Sequence, residues 1–115
     1  MNRYVMIFRS TRALSPEYSK KRAADIQTWV RQIKEMGVDL DPRNLGAVVA
    51  HYQADDSLSG DFGTNPTDPS LVTMVFFTAK DDEQAKQVAA IHPGPRYGVS
   101  LELRTWSPPG PPARP

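Results

Sequence analysis

The chain has 115 residues, and its 14 lysines and arginines nearly balance its 13 aspartates and glutamates, which leaves a formal net charge of +1 at pH 7. This length fits one domain with a single core, and the charge balance gives no electrostatic footprint for nucleic acid or for an anionic membrane. The absence of cysteine excludes disulfides and thiolate chemistry, and without a signal peptide or a run near the ~20 apolar residues of a membrane span we expect a cytoplasmic protein.

The first half of the chain predicts a strand, a helix and a second strand. Residues 3–8 ("RYVMIF") are rich in β-branched and aromatic side chains, as strands are. A helix begins after Ser15, a good N-cap followed by proline, and ends at Gly37. Its apolar face has the spacing i, i+3, i+4, i+7: Ile26, Trp29, Val30 and Ile33. The segment 41–44 ("DPRN") predicts a turn, and 45–52 ("LGAVVAHY") predicts the second strand.

The second half predicts two further strands around a short helix. A polar, turn-rich loop occupies residues 53–70, and a strongly apolar strand follows at 71–78 ("LVTMVFFT"). Asp81 has capping-box spacing to a glutamine three residues later and opens the second helix. Residues 98–106 predict the fourth strand. The proline-rich tail 107–115 favours extended polyproline conformation and is expected to be disordered.

The resulting order over residues 1–106 is βαββαβ. This pattern predicts a single α+β domain of ferredoxin-like topology, with four antiparallel strands and both helices on one face. Strands one and four are expected at the outside of the sheet, or near each other at their ends.

The third strand is apolar on both of its faces. Leu71, Val75 and Phe77 are assigned to one face, and Val72, Met74 and Phe76 to the other. Because neither face should lie in water, we predict a homodimer whose two sheets pack face to face. The alternative is a monomer in which loops or the tail cover the second face.

Five segments together carry a likeness to a known family. They are "RYVMIFR", the helix start "SPE", Trp29, "AKDDEQA" and "GVSLELR". With these the chain resembles the YCII-related family, the DGPF-domain group of small bacterial proteins. The resemblance implies a subunit that pairs into a dimeric α/β barrel, and in some members a histidine–aspartate pair that acts on a small acidic or chlorinated aromatic-derived substrate. In place of the family's Asp-Gly-Pro-Phe signature this chain has "SGDFGTNPTDPS", and its first helix contains no histidine.

Four residues are candidates for chemistry. His51, near the end of the predicted second strand, is the candidate general base, with a strand-end histidine of no function as the alternative. Glu102 and Arg104 are two residues apart on a strand and share a face, and Arg9 is placed to reach them. Two arginines beside one carboxylate suit a carboxylate or phosphate ligand. The alternative is a structural ion-pair network at a dimer interface.

Other polar residues receive structural interpretations. His92 follows the second helix, where a cation favours the negative end of the helix dipole, so we interpret it as a capping residue. Residues 20–22 ("KKR") are interpreted as a solvated helix face. Asp55, Asp56 and Asp61 are assigned to a solvated loop rather than a cation site. No metal-ligand cluster or nucleotide fingerprint is present, so no metal and no cofactor is expected.

Two functions remain open from the sequence. The first is a dimeric α/β barrel that binds a small organic acid, with His51 as acid/base and Arg9 and Arg104 on the anion, as a cofactor-independent enzyme or as a carrier. The second is a non-catalytic dimeric regulatory or interaction module.

Overall fold

The computed structural model describes residues 1–10, 14–50, 52 and 71–110. The elements in chain order are β1 (Asn2–Ser10), α1 (Pro16–Glu35), β2 (Leu40–Asn44), β3 (Leu71–Ala79), α2 (Asp82–Ala90), a short 3-10 helix (Gly94–Tyr97) and β4 (Val99–Thr105). No helix in these ranges is long and apolar enough to cross a membrane. The predicted loop 53–70 and the last five residues of the predicted tail lie outside the described residues, while residues 107–110 are exposed and have no regular structure.

The four strands form one antiparallel sheet in the order β2-β3-β1-β4. This order and the two helices confirm the predicted α+β, ferredoxin-like fold. The predicted outer position of the first strand is wrong, because β1 is central and pairs with both β3 and β4. Tyr4 and Val5 are both buried although they point to opposite faces, and a central strand accommodates that pattern.

The second strand lies earlier in the chain than predicted. β2 pairs Leu40 with Phe77 and Asn44 with Thr73, whereas residues 45–50 are exposed and have no regular structure. The β2–β3 ladder ends at the Asn44–Thr73 pair, so the apolar run that follows has no strand partner among the described residues. Proline within the "DPRN" segment is tolerated because β2 is an edge strand, where a missing backbone donor costs little.

The predicted helix boundaries are confirmed by their caps. Ser15 has extended backbone, and its Oγ accepts a first-turn N–H at 3.3 Å. Gly37 follows α1 with a φ of 79°, the left-handed conformation that favours glycine. At α2, Asp81 Oδ1 accepts the N–H of Gln84 at 2.8 Å, while Gln84 Oε1 accepts that of Lys80 at 2.9 Å. The sequence therefore fixes where both helices begin.

Both helices pack on one face of the sheet, which we call the covered face. The core comprises alternate strand residues, the inner sides of the helices and Val38 between α1 and β2: Tyr4, Met6, Phe8, Val75, Phe77, Ala79 and Val99 from the sheet, and Trp29, Ile33, Ala85 and Val88 from the helices. The other side of the sheet is called the open face. By alternation it carries Arg3, Val5, Ile7, Arg9, Asp41, Arg43, Met74, Phe76, Ser100, Glu102 and Arg104.

Candidate functional site

A cleft of about 680 Å³ lies between α1, β2 and the covered face; we call it the α1–sheet cleft. It exists because part of the apolar face of α1 does not reach the sheet. Trp29 and Ile33 are buried, whereas Ile26 is only half-buried and Val30 is 39% exposed. Its volume is in the range of small-molecule sites. Most of its wall is apolar: Phe8, Leu14, Ile26, Val30, Leu40, Val75 and Val99.

A few polar side chains line the same cleft. Arg22 is half-buried there and makes no ion pair with a described carboxylate. Thr73 donates to Asn44 Oδ1 at 3.0 Å. Within the described ranges no three histidine, aspartate or glutamate side chains are grouped to hold a metal ion. Lys20 and Lys21 are exposed, as predicted for a solvated helix face, whereas the half-buried Arg22 is a cation that borders an apolar space.

His92 forms part of the cleft wall between two aromatic rings. Its ring centroid lies 4.6 Å from that of Phe8 and 4.5 Å from that of Trp29, with an edge-on angle of 72° to the indole. Its Nδ1 accepts the backbone N–H of Gly94 at 2.9 Å. Burial lowers the pKa of His92 from 6.5 to about 4. The histidine does shape the turn after α2, but as a neutral acceptor, so the predicted capping cation is wrong.

Two hydrogen bonds tie α1 to the chain behind the cleft. Trp29 Nε1 donates to the carbonyl oxygen of Val88 in α2 at 3.0 Å. Tyr97 Oη donates to Asp25 at 2.5 Å, and Arg96 lies 3.6 Å from the same carboxylate. The bond to Asp25 and burial raise the pKa of the Tyr97 hydroxyl. These contacts fix the position of α1 and therefore of the cleft wall.

The predicted ligand-binding trio comes together on the open face. Arg9 Nη1 lies 3.1 Å from Glu102 Oε1, and Arg104 Nη2 lies 3.0 Å from Glu102 Oε2. Arg104 and then Arg9 hold the pKa of the Glu102 carboxyl below its usual value. The three residues are thus adjacent as predicted, but across the sheet from the α1–sheet cleft. His51 lies outside the described residues.

An aromatic and cationic row crosses the open face beside this trio. The Arg3 guanidinium lies 5.3 Å from the ring centroid of Trp106, and Arg43 lies 5.4 Å from that of Phe76. The Phe76 and Trp106 rings meet edge to face at 5.6 Å. Arg43 also pairs with Asp41 at 2.9 Å. Arginine stems and rings therefore cover part of an apolar surface on this side of the sheet.

Sequence reasoning missed the positions of Arg22 and His92 in the cleft. Arg22 stands four residues before Ile26 and seven before Trp29, so helical periodicity places all three on one stripe; that signal was available. His92 follows α2 at a proline-containing turn, and nothing in its neighbourhood predicts that the ring turns inward against Phe8. Only the tertiary packing shows it.

No protein-family model and no curated protein sequence matches the chain. Among solved structures it is similar to At3g17210 from Arabidopsis thaliana, with a TM-score of 0.51 and 10% sequence identity over 98% of this chain and 100% of that one. At that identity the likeness shows the fold alone. Membership of the YCII-related family therefore stays a prediction.

Proposed function

We propose that the protein binds a small, largely apolar organic acid in the α1–sheet cleft. The observation that carries this proposal is the half-filled apolar face of α1, where Ile26 and Val30 line a cleft of about 680 Å³ instead of packing on the sheet. Pockets of this size with apolar walls and a few polar groups are typical of small-molecule sites. An occupant would cover the surface that the fold leaves open.

Arg22 supplies the reason to expect an acid. It borders the cleft without an ion-pair partner among the described carboxylates, and an arginine binds a carboxylate through charge-assisted hydrogen bonds. Arg9 and Arg104, which the sequence favoured for this role, already share Glu102. The anion site is therefore assigned to the cleft.

The geometry supports binding more strongly than proton abstraction. With a pKa of about 4, His92 is neutral at pH 7 and is a weak proton acceptor there. His51, the predicted acid/base residue, lies outside the described part of the chain. We therefore propose a carrier or binding protein first, with catalysis by a cofactor-independent route as the extension of the same site.

Binding of benzoate and 4-isopropylbenzoate tests this proposal. In a Trp106→Phe background the remaining tryptophan, Trp29, reports on the cleft by fluorescence. We expect saturable quenching and expect Arg22→Gln to weaken binding about tenfold, roughly the loss of one charge-assisted bond. Arg104→Gln is the matched control on the open face and should leave affinity unchanged. Binding that depends on Arg104 but not on Arg22 would contradict the proposed site.

We also propose that the protein is a homodimer that packs through the open face. Apolar side chains sit at its centre, where Ile7, Met74 and Phe76 are only partly covered. The run 45–50 adds a second apolar surface, with Val49 fully exposed at 101%. Apolar patches of this kind mark interaction sites, and a two-fold axis would bring the same patch from two chains together.

Sedimentation equilibrium at high micromolar protein concentration measures the mass in solution and so shows whether two chains associate. We expect the mass of two chains, and the mass of one chain for Ile7→Lys, whose side chain points to the open face. Val49→Asp is informative because Val49 is fully exposed, so a loss of dimer would point to a contact with the second chain. A wild-type mass of one chain would contradict the dimer.

The second candidate function is a non-catalytic interaction module. The exposed apolar run 45–50 favours it, because Leu45, Val48 and Val49 are 45%, 64% and 101% exposed. Unchanged fluorescence with millimolar carboxylates, together with a Val49-dependent dimer, is the result that would favour this function over the first.

A further inference from the structure

The donor and acceptor pattern of His92 is fixed by its surroundings. A ring nitrogen that accepts a hydrogen bond carries no proton, and a neutral imidazole carries one. Because Nδ1 accepts the N–H of Gly94 at 2.9 Å, the proton of the neutral ring is placed on Nε2. Burial keeps the ring neutral at pH 7.

The Nε2–H group has no partner within the described chain. No described residue accepts from it, yet no described side-chain nitrogen or oxygen is both buried and unpaired. Nε2 therefore borders accessible space. His92 lines the α1–sheet cleft and also a second hollow of about 610 Å³, which Asp25 and Arg96 line as well.

The backbone at Gly94 allows this ring position. A Cβ at residue 94 would lie 3.0 Å from His92 Nδ1 and 3.2 Å from Cε1, closer than side chains ordinarily pack. Phe8 and Trp29 hold the ring from the other sides, and Trp29 is itself held by the carbonyl of Val88. The imidazole is therefore held by contacts with Phe8, Trp29 and Gly94, which restrict its position.

We infer that His92 is a specificity-determining residue whose Nε2–H donates to a neutral acceptor oxygen of the bound molecule. The inference rests on the proposed function, and it narrows the ligand class to apolar oxo-acids, with a carboxylate for Arg22 and a carbonyl for His92. A buried donor left without a partner disfavours an analogue that lacks the oxygen. The site thus selects by the carbonyl as well as by shape and charge.

Two probes of matched shape test the inference: 4-acetylbenzoate, which carries the carbonyl, and 4-isopropylbenzoate, which does not. The measured quantity is the ratio of their dissociation constants at about pH 7.5. We expect His92→Asn to reduce the preference for the acetyl probe about tenfold, because its amide oxygen can replace Nδ1 but nothing replaces Nε2. His92→Gln, whose amide reaches closer to the Nε2 position, should restore part of that preference.

A second measurement does not depend on a ligand or on a substitution at His92. Long-range proton–nitrogen spectra of protein with labelled histidine report which ring nitrogen is protonated, and a His51→Gln variant assigns the signals. We expect the Nε2–H tautomer of His92 to predominate in the wild type. In Gly94→Ala, where the added methyl displaces the ring, we expect that this tautomer no longer predominates.

The outcomes distinguish a failure of the inference about His92 from a failure of the proposed binding function. If both probes bind and their ratio is the same in wild type and His92→Asn, the inference is overturned while the proposed function stands. A proton on Nδ1 also overturns it. If neither probe binds, the proposed function fails and the inference with it.

Discussion

Protonation of His92 should make the folded protein lose stability in acid, and His92→Asn should remove that part of the loss. The folded-state pKa of about 4 lies below the ordinary value of 6.5. As the pH falls through 6.5 the unfolded chain takes up a proton that the folded protein does not, so the free energy of unfolding falls. The contribution is fully present above pH 6.5 and is lost progressively towards pH 4.

The size of the effect follows from the shift. A displacement from 6.5 to about 4 has a ceiling of about 3 kcal/mol at 1.36 kcal/mol per pKa unit. Solvent reaches part of the His92 ring and screens it, which reduces the expected effect to about 1–2 kcal/mol. For a domain of this length that corresponds to about 4–8 °C in melting temperature.

Urea unfolding of the wild type and His92→Asn at about pH 7.5 and about pH 4.5 measures the difference. The pKa of Glu102 is also lowered and also costs stability in acid, but this contribution is present in both proteins and cancels. Asp25, Arg96 and Arg22 near the ring are likewise unchanged. Equal losses of unfolding free energy in the two proteins would show that His92 is not a buried, neutral residue. The proposed selectivity for a carbonyl would then lose its basis.

Three substitutions test the packing that positions the cleft, each read by urea unfolding. Ile33→Ala removes a fully buried side chain and should cost about 2–5 kcal/mol, whereas Ile91→Ala, at a half-exposed position, should cost far less; equal losses would contradict the placement of the core. Trp29→Phe leaves the Val88 carbonyl without its donor and should cost about 1–3 kcal/mol for that group alone, and a neutral result would contradict the bond. Gly37→Ala must adopt a φ of 79° and should cost about 1–2 kcal/mol; an unchanged midpoint would show that this turn is not left-handed.

Helix boundaries could be predicted from sequence because they depend on local chemistry. Ser15, Asp81 and Gly37 act within one helical turn of themselves, so capping rules reach the correct ends. The position of the second strand, in contrast, depended on its pairing with β3, which is distant in the sequence. Residues 45–50 have the composition of a strand, but the β2–β3 ladder ends at the Asn44–Thr73 pair, and no local pattern contains that information.

The candidate site likewise has features that the sequence predicted and features that it did not. Alternation along β4 predicted that Glu102 and Arg104 share a face, and their approach to Arg9 follows from the pairing of β1 with β4. The cleft could not be predicted, because it arises where α1 leaves the sheet rather than from any motif. His92 shows the limit most clearly, since its sequence position suggested a capping cation, whereas its burial against Phe8 makes it neutral.

The proposed ligand site and the proposed dimer interface lie on opposite faces of one sheet. β1 serves both, because alternation turns Phe8 towards the cleft and Ile7 and Arg9 towards the open face. A substitution at one of these positions therefore changes one surface directly and the other only through the backbone of a central strand, which hydrogen bonds on both edges hold in place. Loss of carboxylate binding in an Ile7→Lys monomer would then mean that the cleft itself depends on the partner, since the side chain at position 7 does not reach it.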